Sequence, residues 1–314
     1  MASVPIKQSD ESRQSSGGRI GNWNWTTPTL GGKQFWTDQF VYGDWRIQQH
    51  AYSKHCRLLD PKNYRRAWGT FNECRRKFES LRVSERIPAL SGKAVLLLHG
   101  LGRTRSSMAK LAEHYRQKGY TPINVEYAST RGSIEEHAAA LNRIIGQLEG
   151  IDEIYFIGHS MGNIVWRYYL HEFTHDESGI QGDSRIRRSV MIAPPNHGAY
   201  LARLLKPTGL FGLVAGQSGK ELGSRDWSEF AERLATPKHE FGIIAGKYNG
   251  NPLFRVDNDT TVSIEETKLV KAADFKVVES MHAFIMGNRQ VIEFSDKFIS
   301  NGYFVAEDER NPIR

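Results

Sequence analysis

Cysteine is scarce in this 314-residue chain: Cys56 and Cys74 are the two present, and they form no ligand pattern that a metal site would use. They could pair or stay reduced as packing residues, so they leave the redox compartment open. Long apolar runs are missing as well. No stretch approaches the about 18 apolar residues of a membrane span, so no integral membrane segment is expected. The opening "MASVPIKQSDESRQSSGG" has no apolar core like that of a secretory leader. Such a chain is cytoplasmic by default, and secreted or periplasmic if a leader has been trimmed. Charge is not segregated either. The formal balance is +7, yet the basic residues are interleaved with acids. In "RRKFESLRVSER" (75–86) helical spacing turns Phe78 and Leu81 inward and leaves the charges on a solvated face. No nucleic-acid partner is therefore expected.

What is present is enough apolar residue, 39% of the chain, to build one large α/β domain or two small ones. Residues 1–33 are polar and glycine-rich and read as a disordered or peripheral tail, with Trp23 and Trp25 as anchors. Residues 34–89 read as N-terminal strands and a helix packed on the core: two edge strands between Phe40 and Leu59, then helical spacing from Ala67 to Arg86. After Pro88 come "AVLLLHG", "TPINVEY", "IDEIYFIGH", "RRSVMIAPP", "EFGIIAGK" and "ADFKVVES", short apolar runs rich in β-branched residues. Helical stretches at 105–118, 133–148, 161–174 and 288–300 lie between or after them. Continuous apolarity marks strands buried on both faces, and β–α alternation builds a parallel sheet. The expected fold class is α/β, an open doubly wound, mostly parallel sheet flanked by helices over 90–302, with 303–314 as a C-terminal tail. The segment 199–237 interrupts the alternation with leucines and glycines; a cap over a site and one more packed helix with a loop both fit it.

One turn stands out. Between the strand ending at Ile157 and the helix beginning near Met161 lies Gly158-His159-Ser160-Met161-Gly162. A serine at the tip of so tight a strand-to-helix turn is held in strained geometry, and the residues two positions away must be tiny. Its hydroxyl sits at a helix start, whose free N–H groups favour developing negative charge. Upstream, His99-Gly100-Leu101-Gly102 follows a buried strand, where a loop can supply a second oxyanion donor. The two donors are assigned to the backbones of Leu101 and Met161.

A serine hydroxyl needs a base, and the base needs a carboxylate to orient it. The fold requires the order Ser, acid, His. Downstream of a strand lie Asp257 and Asp259; downstream of the next lies His282. Asp259 is chosen because Val262 can anchor its loop, with Asp257 in reserve. His159 takes a packing role, and His197 reads as a loop residue near the site.

The combination of His99-Gly100-Leu101-Gly102, Gly158-His159-Ser160-Met161-Gly162, Asp259 and His282 resembles the α/β-hydrolase superfamily, within it the bacterial lipase and esterase group. "APPNHG" (193–198) is similar to a turn those enzymes carry after a strand. The resemblance covers 90–302, and it implies hydrolysis of a small-molecule or lipid ester through an acyl-enzyme on Ser160. It implies no metal or organic cofactor, and it allows contact with a lipid interface. It sets no oligomeric state. One departure is Thr260, where the family often has glycine after the acid. Thioesterase, amidase and acyltransferase chemistry use the same triad, and a non-catalytic binding module has the same fold.

A competing pattern, His171-Glu172-x-x-His175, fits the H-E-x-x-H of zinc metalloproteases. It ends its helix instead of sitting mid-helix, lacks a third ligand nearby, and lies about 16 Å along the helix from Ser160 at about 1.5 Å per residue. Both histidines are expected as C-terminal helix residues.

Overall fold

The computed structural model describes residues 27–28, 34–173, 183–197, 227–248 and 258–314. Its centre is a six-stranded sheet made of β6 (Gly92–Leu98), β7 (Thr121–Val125), β8 (Ile151–His159), β9 (Ile186–Ile192), β10 (Glu240–Lys247) and β11 (Asp274–Glu279). The order is β11-β10-β9-β8-β6-β7, and every pairing is parallel. Alternate residues of each strand supply two separate cores. Ala94, Leu96, Ile154, Phe156, Phe241 and Ile243 face one way, and Val95, Leu97, Tyr155, Ile157 and Ile244 the other. This two-sided burial is why the strands read as unbroken apolar runs. Among the helices, α3 (Ile134–Ile145) and α4 (Met161–Phe173) cover the first face. On the second lie α2 (Ala109–Gln117) and α7 (Arg289–Asn301). Two shorter helices, α5 (Trp227–Glu232) and α6 (Ile264–Thr267), lie between β9 and β11 in the chain.

The N-terminal region differs from the sequence expectation. In place of two edge strands, β2 (Trp36–Tyr42), β3 (Trp45–His50), β4 (Cys56–Leu59) and β5 (Tyr64–Gly69) form their own antiparallel sheet, with β1 (Thr27–Pro28) paired to β5. One face packs its Phe40, Ile47 and Leu58 on α1 (Phe71–Ser84). The other buries polar side chains: Arg46 meets Asp38 at 2.6 Å, Gln48 donates to Asp38 at 2.8 Å, and Arg57 donates to Gln48 at 2.8 and 3.1 Å. Buried polar residues break the apolar signal from which strands are recognised, which is why a five-stranded sheet read as two strands.

The helix expected from Ala67 starts at Phe71, because Thr70 and Glu73 form a reciprocal capping box there and Ala67–Gly69 are still strand. Residues 303–314 are not a loose tail. Asp274 accepts the backbone N–H of Phe304 at 2.8 Å and of Asn311 at 3.0 Å, and Phe304 is buried. Both cysteines are buried and unbridged, and burial pushes the Cys74 thiol up to about 12. No helix among the described residues is long and apolar enough to cross a membrane.

Candidate active site

Strand β8 ends at His159 and α4 opens at Met161, so Ser160 makes the whole turn. It does so at φ 51°, in the left-handed region that side chains avoid. Backbone bonds hold it there. Ser160 N donates to Ile192 O at 3.0 Å, and Asn163 donates to the Ser160 carbonyl from N at 3.0 Å and from Nδ2 at 3.2 Å. Gly162 is needed for the crossing of α4 over β6: a β-carbon there would stand 2.6 Å from Leu98 O and 2.9 Å from His99 O. At Gly158 it would meet the Phe156 ring at 2.7 Å.

Asp259 and His282 come together. His282 Nδ1 lies 2.7 Å from Asp259 Oδ2, and the His282 backbone N–H donates to the Asp259 carbonyl at 2.7 Å. The other carboxylate oxygen of fully buried Asp259 accepts the N–H of Val262 at 2.7 Å and of Thr261 at 3.0 Å. A carboxylate only accepts, so the imidazole proton sits on Nδ1 and the Nε2 lone pair is free to act as a base. Thr260, the departure from the family pattern, takes φ 82°, the conformation that makes glycine common after the acid.

His159 ties this pair to the serine turn. It is buried; its Nε2 donates to the His282 carbonyl at 3.1 Å, and the two rings lie 4.7 Å apart. Burial, and then the neighbouring His282, hold its pKa well below the ordinary imidazole range, so it is a neutral prop. Among the described residues no hydrogen bond joins Ser160 Oγ to His282. Such bonds commonly tighten only when substrate binds.

The His99–Gly102 loop passes directly over the serine. A β-carbon on Gly100 would stand 3.1 Å from Ser160 Cβ and 2.9 Å from His159 Nδ1. Gly102 N–H donates to Ser129 Oγ at 3.0 Å and Arg103 N–H to Gly100 O at 3.2 Å. Leu101 N–H has no acceptor among the described residues. Met161 opens α4, where the first N–H groups have no carbonyl a turn earlier.

Several residues around this constellation went unread in the sequence. Tyr127 stacks on His99 with ring centroids 4.1 Å apart and donates its hydroxyl to the His99 carbonyl. Gln34 and Ser129 brace the same loop. Gly246 at the end of β10 lets Asp259 approach, since a β-carbon there would stand 2.7 Å from Asp259 Cβ. A glycine inside an apolar strand is the kind of signal that could have marked it.

Other expected residues fall elsewhere. Asp257 and His175 lie outside the described residues, as does 198–226, most of the segment 199–237. The end of that segment packs on the core: Leu234 is buried, and Arg167 donates to the carbonyls of Leu234 and Ala235 at 3.0 Å each. His171 and Glu172 are in the last turn of α4, with Glu172 4.0 Å from Arg233. His197 is exposed beyond β9.

Residues 112–181 match the family described as "Alpha/beta hydrolase of unknown function (DUF915)". That match spans 70 of the 314 residues, and the six-stranded parallel sheet flanked by helices is the kind of fold that the family's description names. No curated protein matches it. Among solved structures it is similar to the product of gene lin2722 from Listeria innocua, at 16% identity and TM-score 0.47 over 67% of this chain and 95% of that one. It is also similar to phospholipase PlaB from Legionella pneumophila, at 16% identity and TM-score 0.46 over 56% and 45% of the two chains. For Est1E from Butyrivibrio proteoclasticus the figures are 13%, TM-score 0.44, 69% and 92%. These likenesses carry no activity across to this chain.

Proposed function

We propose that the chain is a serine hydrolase that cleaves carboxylic esters through an acyl-enzyme. The observation that supports this best is the 2.7 Å Asp259–His282 contact, carried on a loop that packs through His159 against the strained Ser160 turn. In this reading Ser160 Oγ attacks the ester carbonyl as its proton passes to His282 Nε2. Asp259 stabilises the imidazolium, and the N–H groups of Leu101 and Met161 bind the oxyanion. His282 then returns the proton to the leaving alcohol. Water, activated by the same nitrogen, attacks the acyl carbonyl and releases the carboxylic acid and free Ser160.

Turnover of p-nitrophenyl butyrate with and without inhibitors tests the reading. Activity is expected to survive a metal chelator and to disappear after treatment with a serine-directed phosphonate. Activity lost to the chelator and untouched by the phosphonate would refute it and favour the His171-Glu172-x-x-His175 pattern. Within the site, Asp259→Asn replaces an acceptor with a group that can present an N–H to Nδ1 and so permits the wrong tautomer. A fall in kcat of about 10³-fold to 10⁴-fold is expected. An Asp257→Asn variant that fell further than Asp259→Asn would move the acid to position 257.

A further inference from the structure

We infer that the N-terminal antiparallel sheet positions the oxyanion loop, through a strap formed by Gln34 and Ser129. The inference rests on the ester-hydrolase reading and assigns these residues a role in that reaction. The start of β2 runs along the loop that follows β7 and is bonded to it step by step. Asp38 N–H donates to Glu126 O at 2.8 Å, Glu126 N–H to Asp38 Oδ2 at 2.8 Å, and Ala128 N–H to Thr37 Oγ1 at 3.1 Å. At the end of this seam Gln34 Oε1 accepts from Ser129 Oγ at 2.8 Å, Thr130 N at 3.0 Å and Thr130 Oγ1 at 3.1 Å. Its Nε2 donates to the carbonyl of Arg103. Ser129 Oγ in turn accepts the Gly102 N–H at 3.0 Å.

The strap therefore grips the oxyanion loop at two adjacent residues, the Gly102 donor and the Arg103 acceptor. With Gly102 N–H turned to Ser129 and Arg103 N–H to Gly100 O, Leu101 N–H is left with no acceptor among the described residues and can meet a ligand. The amide of Gln34 suits this place because it accepts on its oxygen and donates from its nitrogen. Gln34 is held at φ 72° to do so. A hydrogen-bond donor aimed at a developing oxyanion acts over tenths of an ångström, and a misplacement of about 1 Å costs on the order of 10²-fold in rate. Gln34 and Ser129 touch no reacting atom and are positioning residues.

The test compares kcat and KM on p-nitrophenyl butyrate, and the rate of Ser160 labelling by a fluorophosphonate, for the full chain and single variants. Gln34→Ala and Ser129→Ala are expected to lower kcat and the labelling rate by about 10-fold to 100-fold, with KM within about threefold of the parent. Ser129→Thr, which keeps the hydroxyl, should restore most of the rate. Gln34→Glu, which keeps the acceptor and loses the donor, should fall between. Gln49→Ala, whose side chain bonds the Lys54 carbonyl within the same sheet, should match the parent. Equal kcat in parent, Gln34→Ala and Ser129→Ala would overturn the strap, as would losses that Ser129→Thr fails to rescue. Should Ser129→Ala not fold, Gln34→Ala against Gln34→Glu decides. A parent that labels at Ser160 with unaffected variants sinks the strap alone; a parent that never labels sinks the hydrolase reading and the strap with it.

Discussion

Exchanging Ser160 for alanine is expected to lower kcat on a short-chain ester by about 10⁶-fold while leaving the fold intact. The substitution removes one oxygen and nothing else. The turn is held by backbone bonds from Asn163 and to Ile192, and alanine accepts the φ of 51° at a cost similar to that of serine. His282→Ala should be comparably severe, because a hydroxyl with no base to take its proton is a poor nucleophile. The double variant should fall little below either single one, since groups acting as a unit are not additive. Steady-state kinetics with thermal melts of all three variants check this. A Ser160→Ala enzyme keeping more than about 1% of kcat would mean another nucleophile.

Acid is expected to destabilise the fold steeply below pH 6.5, through three imidazoles buried in the neutral form. Burial pushes His239 down to about 4, while burial and then nearby His99 push His137 down to about 3. His159 is held well below the usual range. In the unfolded chain each titrates near 6.5, so between that pH and the folded values the unfolded state binds more protons. Their stability contribution is therefore full above pH 6.5 and is lost as pH falls. At pH 5 the loss is about 2 kcal/mol each for His137 and His239, about 4 kcal/mol for the two, and His159 adds to it in the same direction. That is a large share of the roughly 5–15 kcal/mol that holds a typical domain together. Asp38 acts in the opposite sense, because burial outweighs the pull of Arg46 and raises its pKa, so it gains stability as pH falls. One carboxyl does not offset three imidazoles. Urea unfolding at pH 7, 6 and 5 measures the slope, and equal stability at all three would contradict these assignments.

The central sheet was legible because its strands are buried on both faces, so "IDEIYFIGH" and "EFGIIAGK" match β8 and β10 residue for residue. The N-terminal sheet was not. Asp38, Arg46, Gln48 and Arg57 look like surface residues in a sequence, yet they neutralise and bond one another inside the protein. Their partners Asn124 and Glu126 are far along the chain. The strained turn at Ser160 was readable because such a turn imposes glycines at fixed spacing, and the Asp259–His282 contact because both residues follow strands. Gln34 and Ser129 carry no such spacing. The role proposed for them rests on a tertiary contact between residues 95 apart in the chain.

The central claim is that Ser160 is an activated nucleophile. Fluorophosphonate labelling of the full chain, followed by tryptic mass spectrometry, tests it most directly, because the peptide spanning residues 144–167 contains Ser160 and no other serine. The account predicts one stoichiometric adduct on that peptide, abolished by Ser160→Ala and strongly slowed by His282→Ala. An unmodified 144–167 peptide from folded protein, or an adduct only at another residue, would contradict it.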